Sequence, residues 1–156
     1  MKKLFAFLLI VTLVTCSVFC VNATETTSKT ETTIEYLNNG HYIETIIVYC
    51  DDDSDNTRVA TKSGYKTSNY KDENGVTMWS VTVNGTFTYN GTTSSCTSVS
   101  RSTTAPGANW SIKSSSCSKS GNCATATATA THKGVLLSKD YSMTVNLYCS
   151  PYGILS

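Results

Sequence analysis

Beyond its apolar N-terminus the chain carries two histidines, His41 and His132, and five cysteines, Cys50, Cys96, Cys117, Cys123 and Cys149. A thiol beside an imidazole makes a nucleophile, so Cys50 with His41 or His132 is one conceivable pair. Neither histidine lies in a nucleophile motif. The sequence has no G-x-S-x-G and no H-E-x-x-H, the local signatures of serine hydrolases and zinc peptidases. Glycoside hydrolysis needs two carboxylates held across a cleft. Glu35, Glu44 and Glu73 have no spacing that specifies such a pair. There is no C-x-x-C either, so neither zinc nor any other cofactor is expected. The chain reads as a non-enzyme, with an enzyme site assembled from distant residues as the alternative.

Two further clusters invite a binding role. Asp51, Asp53 and Asp55 resemble the opening of a calcium loop. Position six is Asn56 where glycine is needed, and position twelve is Lys62 where glutamate belongs, so a solvated acidic turn and no metal are expected. Trp79 and Trp110 could stack on sugar rings. Trp79 shares the apolar parity of its strand and reads as core. Trp110 opens a strand after Pro106-Gly107-Ala108-Asn109, where exposure is easier, so it is the candidate ligand contact, although core or edge packing is its default. Tyr65, Tyr70 and Tyr148 are candidate companions on polar faces.

The elements that must position these residues begin after an export signal. Lys2 and Lys3 precede an apolar run from Leu4 to Val14, and Val21-Asn22-Ala23 ends the segment. That pattern implies cleavage after Ala23 and a secreted, extracellular or cell-surface protein. A lipoprotein signal at Cys16 and an uncleaved anchor are the alternatives. Thr12, Thr15 and Ser17 interrupt the apolar run, which counts against the anchor, and no membrane span is expected in the mature chain. Residues 24–33 read as a Thr-rich flexible linker, and 34–156 as one domain. Without its first 23 residues the chain is close to neutral, so composition gives no footprint for nucleic acid or an anionic surface.

About a third of the remaining residues are Ser or Thr. Trp79, Val81, Val83, Phe87 and Tyr89 share one parity within Val76–Tyr89, and Thr82, Asn84, Thr86 and Thr88 share the other. Such alternation is a strand with one dry face. Gly85 falls on the apolar face, where it would admit a bulky neighbour. Gly64 reads as a bulge or bend. Ala124–Thr131 alternates Ala and Thr, and Tyr141–Cys149 alternates again. No helical period follows the signal segment. The expected fold is all-β, a small antiparallel β-sandwich of seven or eight strands, with an immunoglobulin-like arrangement as one candidate form.

Cysteines in an exported chain are read first as disulfides. Cys117 and Cys123 bracket Ser118–Asn122. In a hairpin with that five-residue loop they would stand opposite each other and could bridge. Cys149 has the apolar parity of its strand, so its partner should reach the core. The sequons at Asn84, Asn90 and Asn109 would matter only in a eukaryotic secretory pathway. A pore-forming hairpin is disfavoured, since its lipid face would be only Ala124, Ala126, Ala128 and Ala130.

From about Gly64 onward the chain resembles a group of small, uncharacterised secreted proteins of Gram-positive bacteria. The residues that carry the resemblance are Trp79-Ser80-Val81-Thr82-Val83, Gly85–Gly91, Cys96-Thr97, Trp110, Ser118–Asn122, Leu147-Tyr148-Cys149-Ser150 and the Gly153–Ser156 ending. The resemblance implies export and a β fold, and no activity. It also points to Cys96 as the partner of Cys149, with Cys50 unpaired; a pairing of Cys50 with Cys96 or Cys149 is the alternative. The function expected is that of a secreted or cell-surface binding module, for a cell-surface glycan or protein.

Overall fold

The computed structural model describes residues 28–50 and 59–156, excluding the side chain of Cys50. The signal segment, the Ala23 cleavage point, Cys16 and the acidic stretch Asp51–Asn56 lie outside these residues. The described chain is all-β. Strands β1 (Ser28–Tyr36), β2 (Tyr42–Cys50), β3 (Ala60–Lys71), β4 (Thr77–Tyr89) and β5 (Ser94–Thr104) form one sheet in that order. Strands β6 (Trp110–Ser120), β7 (Cys123–Lys133) and β8 (Ser138–Tyr148) form a second. Every neighbouring pair is antiparallel. The sheets face each other as a β-sandwich, with β7 over β4 and β5 and β8 over β3 and β4. Each sheet is a simple meander, so the Greek key of an immunoglobulin domain is absent.

Alternation builds the core. Trp79, Val81, Val83 and Phe87 of β4 are fully buried, and so are Ala124, Ala126 and Ala130 of β7 and Leu147 of β8. The alanines are small because β4 is large. A Cβ on Gly85 would fall 2.6 Å from Phe87 Cε2 and 3.1 Å from the Ala124 Cβ. The expected bulky neighbour is therefore present. Gly64 stands opposite Gly85 in regular register, without a bulge. Its missing side chain is replaced by Leu155, whose Cδ1 would lie 2.4 Å from a Cβ there. The register shift of this strand pair falls between Tyr70 and Lys71 instead.

The wet faces are laced by hydroxyls. Thr67 and Thr82 lie 2.8 Å apart through their Oγ1 atoms, and Ser63 and Thr86 are linked at 3.0 Å. On β7 and β8 the pairs are Thr125–Asn146, Thr127–Thr144, Thr129–Ser142 and Thr131–Asp140. Directly opposed residues share a face, so these pairs form a ladder along the outer surface.

Two expectations are corrected. The proposed linker is partly strand, because Ser28–Thr33 belongs to β1 and pairs with Thr45–Cys50. All nine β1 residues are exposed; β-branched Thr serves an edge strand that contributes little to the core. The second correction is the Cys117–Cys123 bridge. The hairpin turn is Gly121-Asn122 alone, with Ser120 opposite Cys123 and Cys117 opposite Ala126. Cys117 therefore faces the core and Cys123 the outer surface, and no bridge can join them. Cys96, Cys117, Cys123 and Cys149 are all free thiols in this structure.

Candidate functional site

Antiparallel meanders gather alternate turns at one end. The β1–β2, β3–β4 and β5–β6 turns meet there with the ends of β6, β7 and β8. Between them lies a cleft of about 640 Å³. Its aromatic wall is Trp110, His132 and Tyr141, and His41 with Asn39, Asp72 and Glu73 supplies polar groups.

Each turn is built by its own sequence. Asn39-Gly40 and Asn74-Gly75 close three-residue loops, with φ of 80° at Gly40 and 81° at Gly75. Asp72 Oδ1 accepts the amides of Asn74 at 3.0 Å and Val76 at 2.8 Å. That carboxylate is thus committed to the turn. Glu73 makes no hydrogen bond or ion pair with the described residues. Pro106-Gly107 turns the chain from one sheet to the other. The Gly107 amide donates to Met78 O at 3.0 Å, and Gly107 O accepts from the Trp110 amide at 3.1 Å. A Cβ on Gly107 would lie 2.8 Å from Trp110 Cδ1 and 2.9 Å from Met78 backbone atoms. Glycine here lets the indole sit against the corner.

Trp110 is partly buried and opposes His132 in register. The two rings stack with centroids 4.9 Å apart and planes inclined by 25°. Trp110 is also 5.0 Å from Tyr141 and 5.4 Å from Tyr70. Tyr70 joins the cluster to His41 at 5.3 Å and to buried Trp79 at 6.5 Å. Such tilted pairs are the favoured aromatic arrangement. The His41 amide donates to Asn39 Oδ1 at 3.3 Å, while His41 Nδ1 is buried with no partner among the described residues.

Trp110, expected as a ligand contact, therefore sits at the cleft with both histidines. Tyr70 is the hub of the cluster and is buried, contrary to its expected place on a polar face. Tyr65 and Tyr148 are exposed on the outer faces of opposite sheets, away from Trp110. Asn39, Glu73 and Tyr141 were not anticipated as site residues. The signal that could have found Asn39 and Glu73 is the pair of Asn-Gly turns, which antiparallel order puts at the same end; Tyr141 carries no such signal.

The remaining thiols lie elsewhere. Cys96 and Cys149 are buried and donate their amides to the consecutive carbonyls of Gly121 and Asn122, at 2.8 and 3.0 Å. Burial raises the pKa of both thiols, and each is close enough for a Cys96 thiolate to raise that of Cys149 further. A second hollow, about 320 Å³, lies over Gly64 and Gly85 and is lined by Val48, Tyr65 and Ser or Thr hydroxyls, without a carboxylate or histidine among the described residues. Among the described residues no group of three or more His, Cys, Asp or Glu is placed to hold a metal ion, and no helix is long and apolar enough to cross a membrane. No protein family, no curated protein and no solved structure matches the chain.

Proposed function

We propose that the protein is an exported, non-enzymatic binding module whose ligand site is the cleft at Trp110, and that its ligand is a glycan of a cell surface. The observation that carries this reading is the indole itself. It is partly open to a cleft, held from behind by His132, Tyr70 and Tyr141, with carboxylate and amide groups on the rim. Ligand sites are concave, mostly apolar or aromatic, with a few fixed polar groups. An aromatic face is electron-rich and receives the C–H face of a sugar, and Asn39, Glu73 and Asn74 can hydrogen-bond its hydroxyls. Among the described residues the lining has no Ser, Thr, Cys or Lys to act as a nucleophile. In an oxidising compartment Cys96 and Cys149 are the buried pair suited to become a staple.

A glycan array followed by calorimetry tests the reading. Binding is expected in the native protein, lost in Trp110→Ala and weakened in Glu73→Gln. Binding that survives Trp110→Ala would sink it. The presence of both histidines in the cleft favours a second reading, an acid–base hydrolase using Glu73 with His41. Turnover on a hydrolase panel that disappears in Glu73→Gln and His41→Ala would replace the first reading with this one.

A further inference from the structure

The turn between β7 and β8 carries three successive apolar residues that no other described residue covers. Val135, Leu136 and Leu137 are 103%, 91% and 84% exposed. Single exposed aliphatics are ordinary, but an uninterrupted run of three at the tip of a hairpin is not, unless it has a use. The tip is held in shape. Gly134 N donates to Leu137 O at 3.0 Å, and a Cβ on Gly134 would lie 2.6 Å from that oxygen. At its base the Lys133 amide is anchored to Asn109 O at 2.8 Å.

Charge around the tip has one sign. Lys133 and Lys139 flank it on the two strands, where Lys133 faces Ser138 and Lys139 faces His132. The Lys139 ammonium lies 5.1 Å from the Tyr141 ring centroid. The carboxylate of the hairpin, Asp140, is held by Lys113 at 2.5 Å and by Thr131 at 2.6 Å. Those contacts lower its pKa and leave the flanking lysines without an acidic neighbour on the hairpin.

We infer that the Val135-Leu136-Leu137 tip inserts into the interface of an anionic lipid bilayer, with Lys133 and Lys139 at the headgroups. Aliphatic chains flanked by lysines suit a surface whose core is hydrocarbon and whose rim is negative. A protein partner fits less well. Its hot spots are aromatic or Arg anchors within a broad patch, and three residues on a prong fall far short of the area a stable protein interface buries. Hydrocarbon requires no complementary shape. Since the same end of the sandwich holds the cleft, insertion would turn the cleft toward the membrane surface. The inference does not depend on what the cleft binds.

Vesicle flotation tests it, using phosphatidylcholine vesicles and vesicles of phosphatidylcholine with phosphatidylglycerol in equal parts. The protein is expected to float with the anionic vesicles and to be released by salt. Leu136→Ser with Leu137→Ser should weaken binding at least about tenfold. Lys133→Gln with Lys139→Gln should remove most of the salt dependence. The tip touches no core residue, so these variants should keep the native melting temperature. All carry the same N-terminus, so the comparison reads the tip alone. In Leu136→Trp, the new indole emission should shift to the blue with vesicles and be quenched by brominated acyl chains. Trp110→Ala should bind vesicles as the native protein does. Absence of vesicle binding, or equal binding by the serine variant, overturns the inference. So does a concentration-dependent dimer in solution that the serine variant abolishes, since the tip would then serve a second copy.

Discussion

Cys117 and Cys123 face opposite sides of the second sheet. Cys117 stands across from Ala126 over the core, whereas Cys123 stands between Ser120 and Tyr148 on the outer surface. Non-reducing peptide mapping of the monomer should therefore yield no Cys117–Cys123 peptide. The expected crosslink is Cys96–Cys149. In the reduced protein these two thiols should alkylate more slowly than Cys123, because burial holds them protonated. A Cys117–Cys123 peptide would mean that the hairpin register is wrong.

The alanine face of β7 predicts sensitivity to added volume. Ala124→Leu places three carbons against Phe87 and Gly85, where a single Cβ on Gly85 already lies 3.1 Å from Ala124. The cost should be about 1–3 kcal/mol. Removing volume beneath Gly64, with Leu155→Ala, should cost about 2–5 kcal/mol. Urea titrations monitored by tryptophan fluorescence check both.

Glu44 and Lys71 give the acid limb a defined origin. Their charged atoms are 2.8 Å apart, and Asn69 donates to the same carboxylate oxygen at 3.2 Å. The bond from Lys71 is the main cause that lowers the Glu44 pKa, against the opposing effect of burial. A depressed carboxyl pKa stabilises the fold above its unfolded value, about 4.3, and the benefit is lost as pH falls through the folded value. Glu44→Gln should therefore lower stability at pH 7 by no more than about 1 kcal/mol. The difference from the native protein should vanish in acid, as pH-dependent melting would show.

Lys66 behaves in the opposite sense. It lies on the inner parity of β3, opposite Val83 and Ile47. Burial lowers its pKa, while the nearby Cys123 acts against that shift. The unfolded chain then holds the proton more tightly, so stability rises with pH as the folded-state lysine deprotonates. Lys66→Met should raise the melting temperature at neutral pH, the gain being reduced by the solvent that still reaches the ammonium. A lower melting temperature for Lys66→Met would contradict this.

The strands most legible in the sequence are those whose two faces differ most. In β4 the buried Val81, Val83 and Phe87 alternate with Thr82, Asn84 and Thr86, and the sandwich class follows from such patterns. β3 misled because its inner parity carries Lys62 and Lys66, so Tyr70 read as a polar-face residue. β6 misled because a serine-rich strand has little apolar alternation to fix its register, so the turn seemed five residues long instead of two. The cleft was illegible for a different reason. Asn39, Asp72, Gly107, Trp110 and Tyr141 are far apart in sequence and meet only when the turns of two meanders share an end.

The alternation of alanine and threonine along β7 also divides the strand by its freedom to vary. Positions 124, 126, 128 and 130 are buried in the core, so added volume there is penalised. Positions 125, 127, 129 and 131 answer only to a cross-strand hydroxyl, amide or carboxylate. Losing one such bond costs about 0.5–1.5 kcal/mol, a load a folded domain can carry. New surface chemistry can therefore arise on the threonine side, one position at a time, while the lineage's fold is held by the alanine side.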